Sequence, residues 1–156
     1  MEIGLFLVLE KNIHYIHNDN YYRLMTFSKT TEYALRILTL MVVEEKEKYS
    51  SNYIHKQLKI PKKYLQRLLT LLSKNGLIKS ERGKHGGYKF AKKANKIFLS
   101  DIIKAVEGFK TAPTCFFGFG ECVMEKPCAM HDIWADSQMN LINVLSSTKL
   151  TDLKKK

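Results

Sequence analysis

The chain has 156 residues, of which 45% are hydrophobic, with 26 Lys and Arg against 15 Asp and Glu. That length fits one domain or one small domain with an appended element, and the apolar content excludes wholesale disorder. Its three cysteines cannot all pair within one chain, which argues against a secreted disulfide scaffold, and the net charge of +11 points to an anionic partner: nucleic acid, a membrane surface, or neither if it serves only solubility.

The charge is unevenly placed. From Cys115 onward bases and acids balance, so the whole excess lies upstream, where 21 bases stand against 10 acids. Between Ser50 and Lys96, 13 Lys and Arg face one acid, Glu81. A solvated lysine-rich face would produce such a stretch, and so would a nucleic-acid reader, whose affinity comes largely from phosphate neutralisation.

Residues 1–24 read as an N-terminal extension, either a mis-assigned start or a genuine extra helix or strand, with Met25 opening the strongly patterned chain. The apolar run Ile3 to Leu9 is far short of the roughly 20 residues of a membrane span. It also lacks the basic flank and cleavage site of a signal peptide.

Ser28 or Thr30 caps a predicted helix through Thr31–Glu44, with Ala34, Leu38, Met41 and Val42 on one side. The run Ser50, Ser51, Asn52 caps a second, short helix to about Leu58. Pro61 suits the first position of a third helix that stops near Asn75–Gly76. Leu77–Glu81 and Tyr88–Phe90 are predicted strands joined by the glycine-rich loop Arg82-Gly-Lys-His-Gly-Gly87. Ser100 or Asp101 starts a helix ending at Glu107. A loop with glycines and cysteines spans Thr111 to Pro127, and a long helix runs from there to about Ser146, followed by a short amphipathic tail.

Helix, turn, helix and basic hairpin is the order of a winged helix-turn-helix, so the fold class expected is mainly α with a small β-hairpin wing and a long C-terminal helix. The third helix supports it. Leu65, Leu68, Leu69 and Leu72 form a core stripe at i, i+3, i+4, i+7. Lys63, Gln66, Arg67 and Thr70 repeat that spacing about 200° around the helix. Such a face suits a major groove: Arg67 for guanine, Gln66 for adenine, Lys62 and Lys63 for phosphates. In the hairpin, Arg82, Lys84 and His85 offer positive charge, and Arg82 is the candidate for minor-groove entry.

All three cysteines lie within fourteen positions, Cys115, Cys122 and Cys128, separated by six and five residues, with His131 three places after the last. Three thiolates and an imidazole are soft or borderline ligands that suit zinc or an iron–sulfur cluster. Structural zinc sites use tighter cysteine pairs, and the long gaps favour a bulkier cofactor. A cofactor-free thiol switch is the third reading. A helix starting at Pro127 would place Cys128 and His131 on one face and stabilise the Cys128 thiolate by its dipole.

The motifs Thr31-Glu-Tyr-Ala-Leu-Arg36, Ile60-Pro-Lys-Lys-Tyr-Leu-Gln-Arg-Leu-Leu69, Lys74-Asn-Gly-Leu-Ile78, Arg82-Gly-Lys-His-Gly-Gly-Tyr88, Leu99-Ser-Asp-Ile-Ile-Lys-Ala-Val-Glu-Gly108, His131-Asp-Ile-Trp134 and Leu150-Thr-Asp-Leu153 follow one another in order around the three cysteines. From Met25 to about Leu153 the chain thus resembles the Rrf-two family of bacterial transcriptional regulators, which includes IscR-like and NsrR-like iron–sulfur members.

The resemblance implies a homodimeric, cytoplasmic DNA-binding regulator, a repressor in the simplest case, reading a pseudo-palindromic operator. It divides the chain into the extension 1–24, a winged helix-turn-helix domain 25–110, a cofactor loop 111–127, and a dimerisation helix and tail 128–156. Trp134, Leu141 and Leu145 with Met130, flanked by Ile142, form the apolar side expected to meet a partner helix, with packing on its own domain as the alternative.

In IscR-like members the equivalents of Cys115, Cys122, Cys128 and His131 hold a 2Fe–2S cluster. In NsrR-like members three cysteines and a carboxylate at the position of Glu32, from the other subunit, hold a 4Fe–4S cluster. His131 favours 2Fe–2S, with redox state, nitric oxide or iron availability as the signal. The chain departs from the IscR pattern by one extra residue between the first two cysteines and by Gln66 in place of a glutamate. A cluster-free regulator controlled by thiol oxidation or a partner protein is the rival, and a small thiol redox enzyme is the reading from a different class.

Overall fold

The computed structural model describes residues 27–83, 86–109, 114–117 and 127–154. The expected extension 1–24, most of the cysteine loop with Cys122, and the hairpin tip residues Lys84 and His85 lie outside them.

Helix α1 spans Lys29–Glu44, with the Ser28 hydroxyl accepting a hydrogen bond from the Thr31 N–H at 3.2 Å. Its inner face, Ala34, Ile37, Leu38, Met41 and Val42, is buried. Helix α2, Ser51–Leu58, is capped by Ser50, whose Oγ accepts from the Tyr53 N–H at 3.1 Å. It ends where Lys59 turns to a left-handed φ of 53°. The Ile60-Pro61 pair that follows resists the helical region and begins the turn.

Helix α3 covers Lys62–Lys74. Pro61 is the cap residue just outside it rather than its first residue, and its carbonyl accepts from the Leu65 N–H at 2.9 Å. The proline's missing N–H costs nothing there, because the first N–H groups of a helix have no internal partner. Gly76, at φ +67°, turns the chain into strand β1.

Strands β1, Ile78–Glu81, and β2, Gly87–Phe90, pair antiparallel with Ser80 opposite Tyr88 and Glu81 opposite Gly87. Tyr49 adds a third, one-residue rung: its N–H donates to the Tyr88 carbonyl and its carbonyl accepts the Tyr88 N–H, each at 2.9 Å. A Cβ on Gly87 would stand 2.9 Å from the Tyr49 carbonyl oxygen, so the close approach requires glycine there.

Helix α4, Leu99–Glu107, begins just before the expected Ser100 or Asp101. Asp101 is its third residue and caps backwards, accepting from the Phe98 N–H at 3.1 Å. Helix α5, His131–Ser147, starts later than expected from Pro127. Cys128 to Met130 form a tight turn in which the Cys128 carbonyl accepts the His131 N–H at 2.9 Å, and the first α-type bond runs from the Trp134 N–H to the Met130 carbonyl. Cys128 therefore precedes α5 instead of riding on its first turn beside His131.

After α5 the chain returns to the core. The Leu150 N–H donates to the Ile97 carbonyl at 2.8 Å, the Leu99 N–H donates to the Thr148 carbonyl at 3.1 Å, and Leu150 is fully buried. One cluster joins α1 and α3 with Tyr49, Ile54, Ile60, Leu77, Ile78, Ile97, Ile102 and Leu150. No helix among the described residues is long and apolar enough to cross a membrane.

Candidate nucleic-acid interface and cysteine site

Leu65, Leu68, Leu69 and Leu72 are buried, while Lys62, Lys63, Gln66, Arg67 and Thr70 are all exposed. Burying the leucine stripe leaves the opposite face of α3 exposed. A groove of about 590 Å³ runs between this helix and the hairpin, lined by Gln66, Thr70, Lys74, Arg82 and Tyr88 among others. A second hollow, about 380 Å³, opens where Ser51 and Asn52 of α2 meet Lys62, Lys63 and Gln66. Arg82 is exposed at the hairpin's outer end.

Two features of this surface were not read from the sequence. The first is that Gln66 Nε2 donates to the Tyr88 hydroxyl at 3.1 Å, joining the helix to the wing. The only signal was that Tyr88 follows the glycines directly.

The second is the state of Glu81, the one acid of this stretch. Its carboxylate lies 2.7 Å from Lys48 Nζ and also pairs with Lys89. Hydrogen bonds first from Lys48 and then from Lys89 hold it at about 2, below its ordinary 4.5. Two lysines to one carboxylate leave the wing root cationic. A folded-state value below the unfolded one means that this contribution to stability is complete above about pH 4.5 and is lost as pH falls through about 2. Glu81→Gln should therefore lose less thermal stability than the wild type on acidification over that range. Parallel melting curves would show that the lysines do not hold the carboxylate.

Around the cysteines, Thr114 is tied to α5: its N–H donates to Gln138 Oε1 at 2.8 Å, and Gln138 Nε2 donates to its Oγ1 at 3.3 Å. Phe116 packs edge-to-face on Trp134, with centroids 5.4 Å apart. Cys115, between these two anchors, is thus held along the first half of α5, and Cys128 sits in the turn that leads into the same helix. Both are half-buried and carry free thiols. His131 is exposed at the helix start.

Among the described residues no three His, Cys, Asp or Glu side chains converge to a metal-sized group. The Trp134 Nε1–H is buried and has no acceptor among them. An orphaned buried donor on the helix to which the Cys115 segment is fixed fits a site that supplies an acceptor such as sulfide or thiolate. Glu32, in the first turn of α1, pairs with Lys29 at 3.0 Å and with Arg36.

The expected partner-facing stripe of α5 divides. Leu145 is buried and Trp134 and Ile142 half-buried within the chain's own fold, while Ile133, Leu141 and Val144 stay exposed at 64%, 44% and 56%. The free apolar face is thus centred on Ile133 and Val144, rotated from the predicted one.

A family model described as Rrf2, iron-dependent transcriptional regulator, matches residues 27–156. The chain belongs to the Rrf2 family. Rrf2 regulators similar to it include NsrR of Geobacillus kaustophilus, 29% identical over 131 residues that make up 83% of this chain and 89% of that one. IscR of Xenorhabdus nematophila is 36% identical over 92 residues, 59% of this chain and 56% of that one. In three dimensions the chain is similar to CymR, the global cysteine regulator of B. subtilis, with a TM-score of 0.71, 28% identity, and coverage of 83% of this chain and 95% of that one. These relatives are transcriptional regulators rather than enzymes, and the winged-helix architecture expected from the sequence is the one observed. This Rrf2 chain is a DNA-binding transcriptional regulator.

Proposed function

We propose that the protein acts in the cytoplasm as a homodimeric regulator, a repressor in the simplest case, that reads a pseudo-palindromic operator with one α3 helix per major-groove half-site. The observation that carries this is the division of α3 into a buried leucine face and an exposed face of Lys62, Lys63, Gln66, Arg67 and Thr70. Arg67 forks onto a guanine edge, Gln66 reads adenine, Lys62 and Lys63 meet phosphates, and Arg82 enters the minor groove with Lys84 and His85 at the wing tip. The exposed face of α5, Ile133, Leu141 and Val144, meets its counterpart in the second subunit.

Cys115, Cys122, Cys128 and His131 would hold an iron–sulfur cluster, 2Fe–2S in preference to 4Fe–4S. Glu32, engaged by Lys29 and Arg36 of its own helix, is the less favoured alternative ligand to His131. Such a group supplies a thiolate-bound centre that responds to oxidants, nitric oxide and iron supply. The chain's own residues carry the response. Thr114 and Phe116 fix the cysteine segment to α5, and the residues just after α5 are bonded to Ile97 and to Leu99, the first residue of α4. Asn75, at the end of α3, donates to the Ala105 carbonyl of α4 at 3.0 Å. Rearrangement around the thiols thus reaches the reader through α5 and α4.

A second reading keeps the reader and uses the thiols bare, controlled by oxidation or a partner protein. The free, half-buried Cys115 and Cys128 and the likeness to a global cysteine regulator favour it.

The test of the reader is a hydroxyl-radical footprint on a duplex selected from a random library. Two protected half-sites one helical turn or a multiple apart are expected. A single half-site, or binding that does not weaken with salt, would contradict the dimeric reader.

A further inference from the structure

We infer that Tyr88 is a specificity-determining positioning residue, whose hydroxyl sets the orientation of the Gln66 amide; this rests on the DNA-reading role proposed for α3. Gln66 is exposed on the reading face, yet its side chain is not free: Nε2 donates to the Tyr88 hydroxyl at 3.1 Å.

The tyrosine is a rigid post. Both of its backbone polar groups are bonded to Tyr49 at 2.9 Å. Tyr49 is itself 1% exposed, and its phenol donates to the Met41 carbonyl at 3.0 Å and accepts the Lys46 N–H at 2.8 Å. The position of the Tyr88 hydroxyl is therefore referred to the buried core of α1, not to the hairpin tip.

A glutamine amide has two N–H donors and a carbonyl acceptor. With one N–H spent on Tyr88, one N–H and the carbonyl remain, side by side. That pair complements N7 and N6–H2 of adenine in the major groove. An unheld glutamine rotates about its last torsion, presents donor or acceptor indifferently, and loses rotamer entropy on binding. The bond from Nε2 to the Tyr88 hydroxyl restrains that rotation before DNA arrives. The wing thereby acts on the major-groove reader as well as on its own groove.

The experiment selects operators from a random duplex library with the wild type, Tyr88→Phe, Gln66→Ala and the double variant. Each is then titrated with salt on one non-specific duplex. Tyr88→Phe should relax preference at a single position per half-site by about tenfold, the position that Gln66→Ala also relaxes, and the double variant should relax it no further. Its salt slope and melting temperature should match the wild type, which a merely structural tyrosine would not allow. Selection of the unchanged site by Tyr88→Phe, or equal weakening at every position, would overturn the inference. A wild type that selects no site at all would instead overturn the reader itself.

Discussion

Protein purified without oxygen should carry iron and acid-labile sulfide with a visible chromophore, and Cys115→Ala, Cys122→Ala and Cys128→Ala should each reduce both to background. Three thiolates are the most this chain can offer, since its only cysteines are these three. Loss of one leaves too few soft ligands for a cluster to persist. His131→Ala should keep part of the iron but change the spectrum, because histidine at one iron raises the reduction potential and alters the absorption. At the start of α5 the His131 N–H is bonded to the Cys128 carbonyl, so the two residues share one backbone turn. Unchanged iron in the cysteine variants would refute the ligand assignment. Iron-free wild type with regulated operator binding would establish the bare-thiol reading.

The second large effect belongs to α3. Arg67→Ala should weaken binding to the selected operator by about 10- to 100-fold, and relax preference at one guanine, as expected for loss of a bidentate base contact. Lys63→Ala should weaken specific and non-specific duplexes alike and lower the salt slope by about one. Both side chains are exposed and stand opposite the buried leucines, so neither change disturbs the core. Equal affinity of wild type and Arg67→Ala on the operator would move the reading surface away from α3.

The two faces of α3 were legible because two periodicities coincide in one helix. Leucines at i, i+3, i+4, i+7 define the buried side, and the charged and amide side chains follow on the other. The glycine-rich loop was legible as a hairpin turn, while the need for glycine at Gly87 comes from the approach of Tyr49, which leaves no room for a Cβ. What lay beyond the sequence depends on contacts between distant residues. The Gln66–Tyr88 bond spans the helix and the wing, and the pairing of Glu81 with Lys48 joins the wing to the segment before α2.

The start of α5 was misplaced because Pro127 satisfies the rule for a first helical residue, whereas a three-residue turn at Cys128 delays the helix to His131. Similarly, Trp134 and Leu145 have the spacing of a partner-facing stripe, but burial within their own domain turns them inward. Periodicity identifies an apolar face without saying which neighbour covers it. Cys122, Lys84 and His85 lie outside the described residues, so their roles rest on the sequence pattern.

In the proposed regulation the state of the cysteine site sets the affinity of the α3 reader. The most direct measurement is anaerobic titration of one fluorescent selected operator with one preparation, before and after removal of its iron by chelation, with a non-specific duplex in parallel. A change of tenfold or more on the operator is expected, and little on the non-specific duplex, corresponding to about 1.4 kcal/mol of coupling between the two sites. Identical operator affinity in the two states would contradict it.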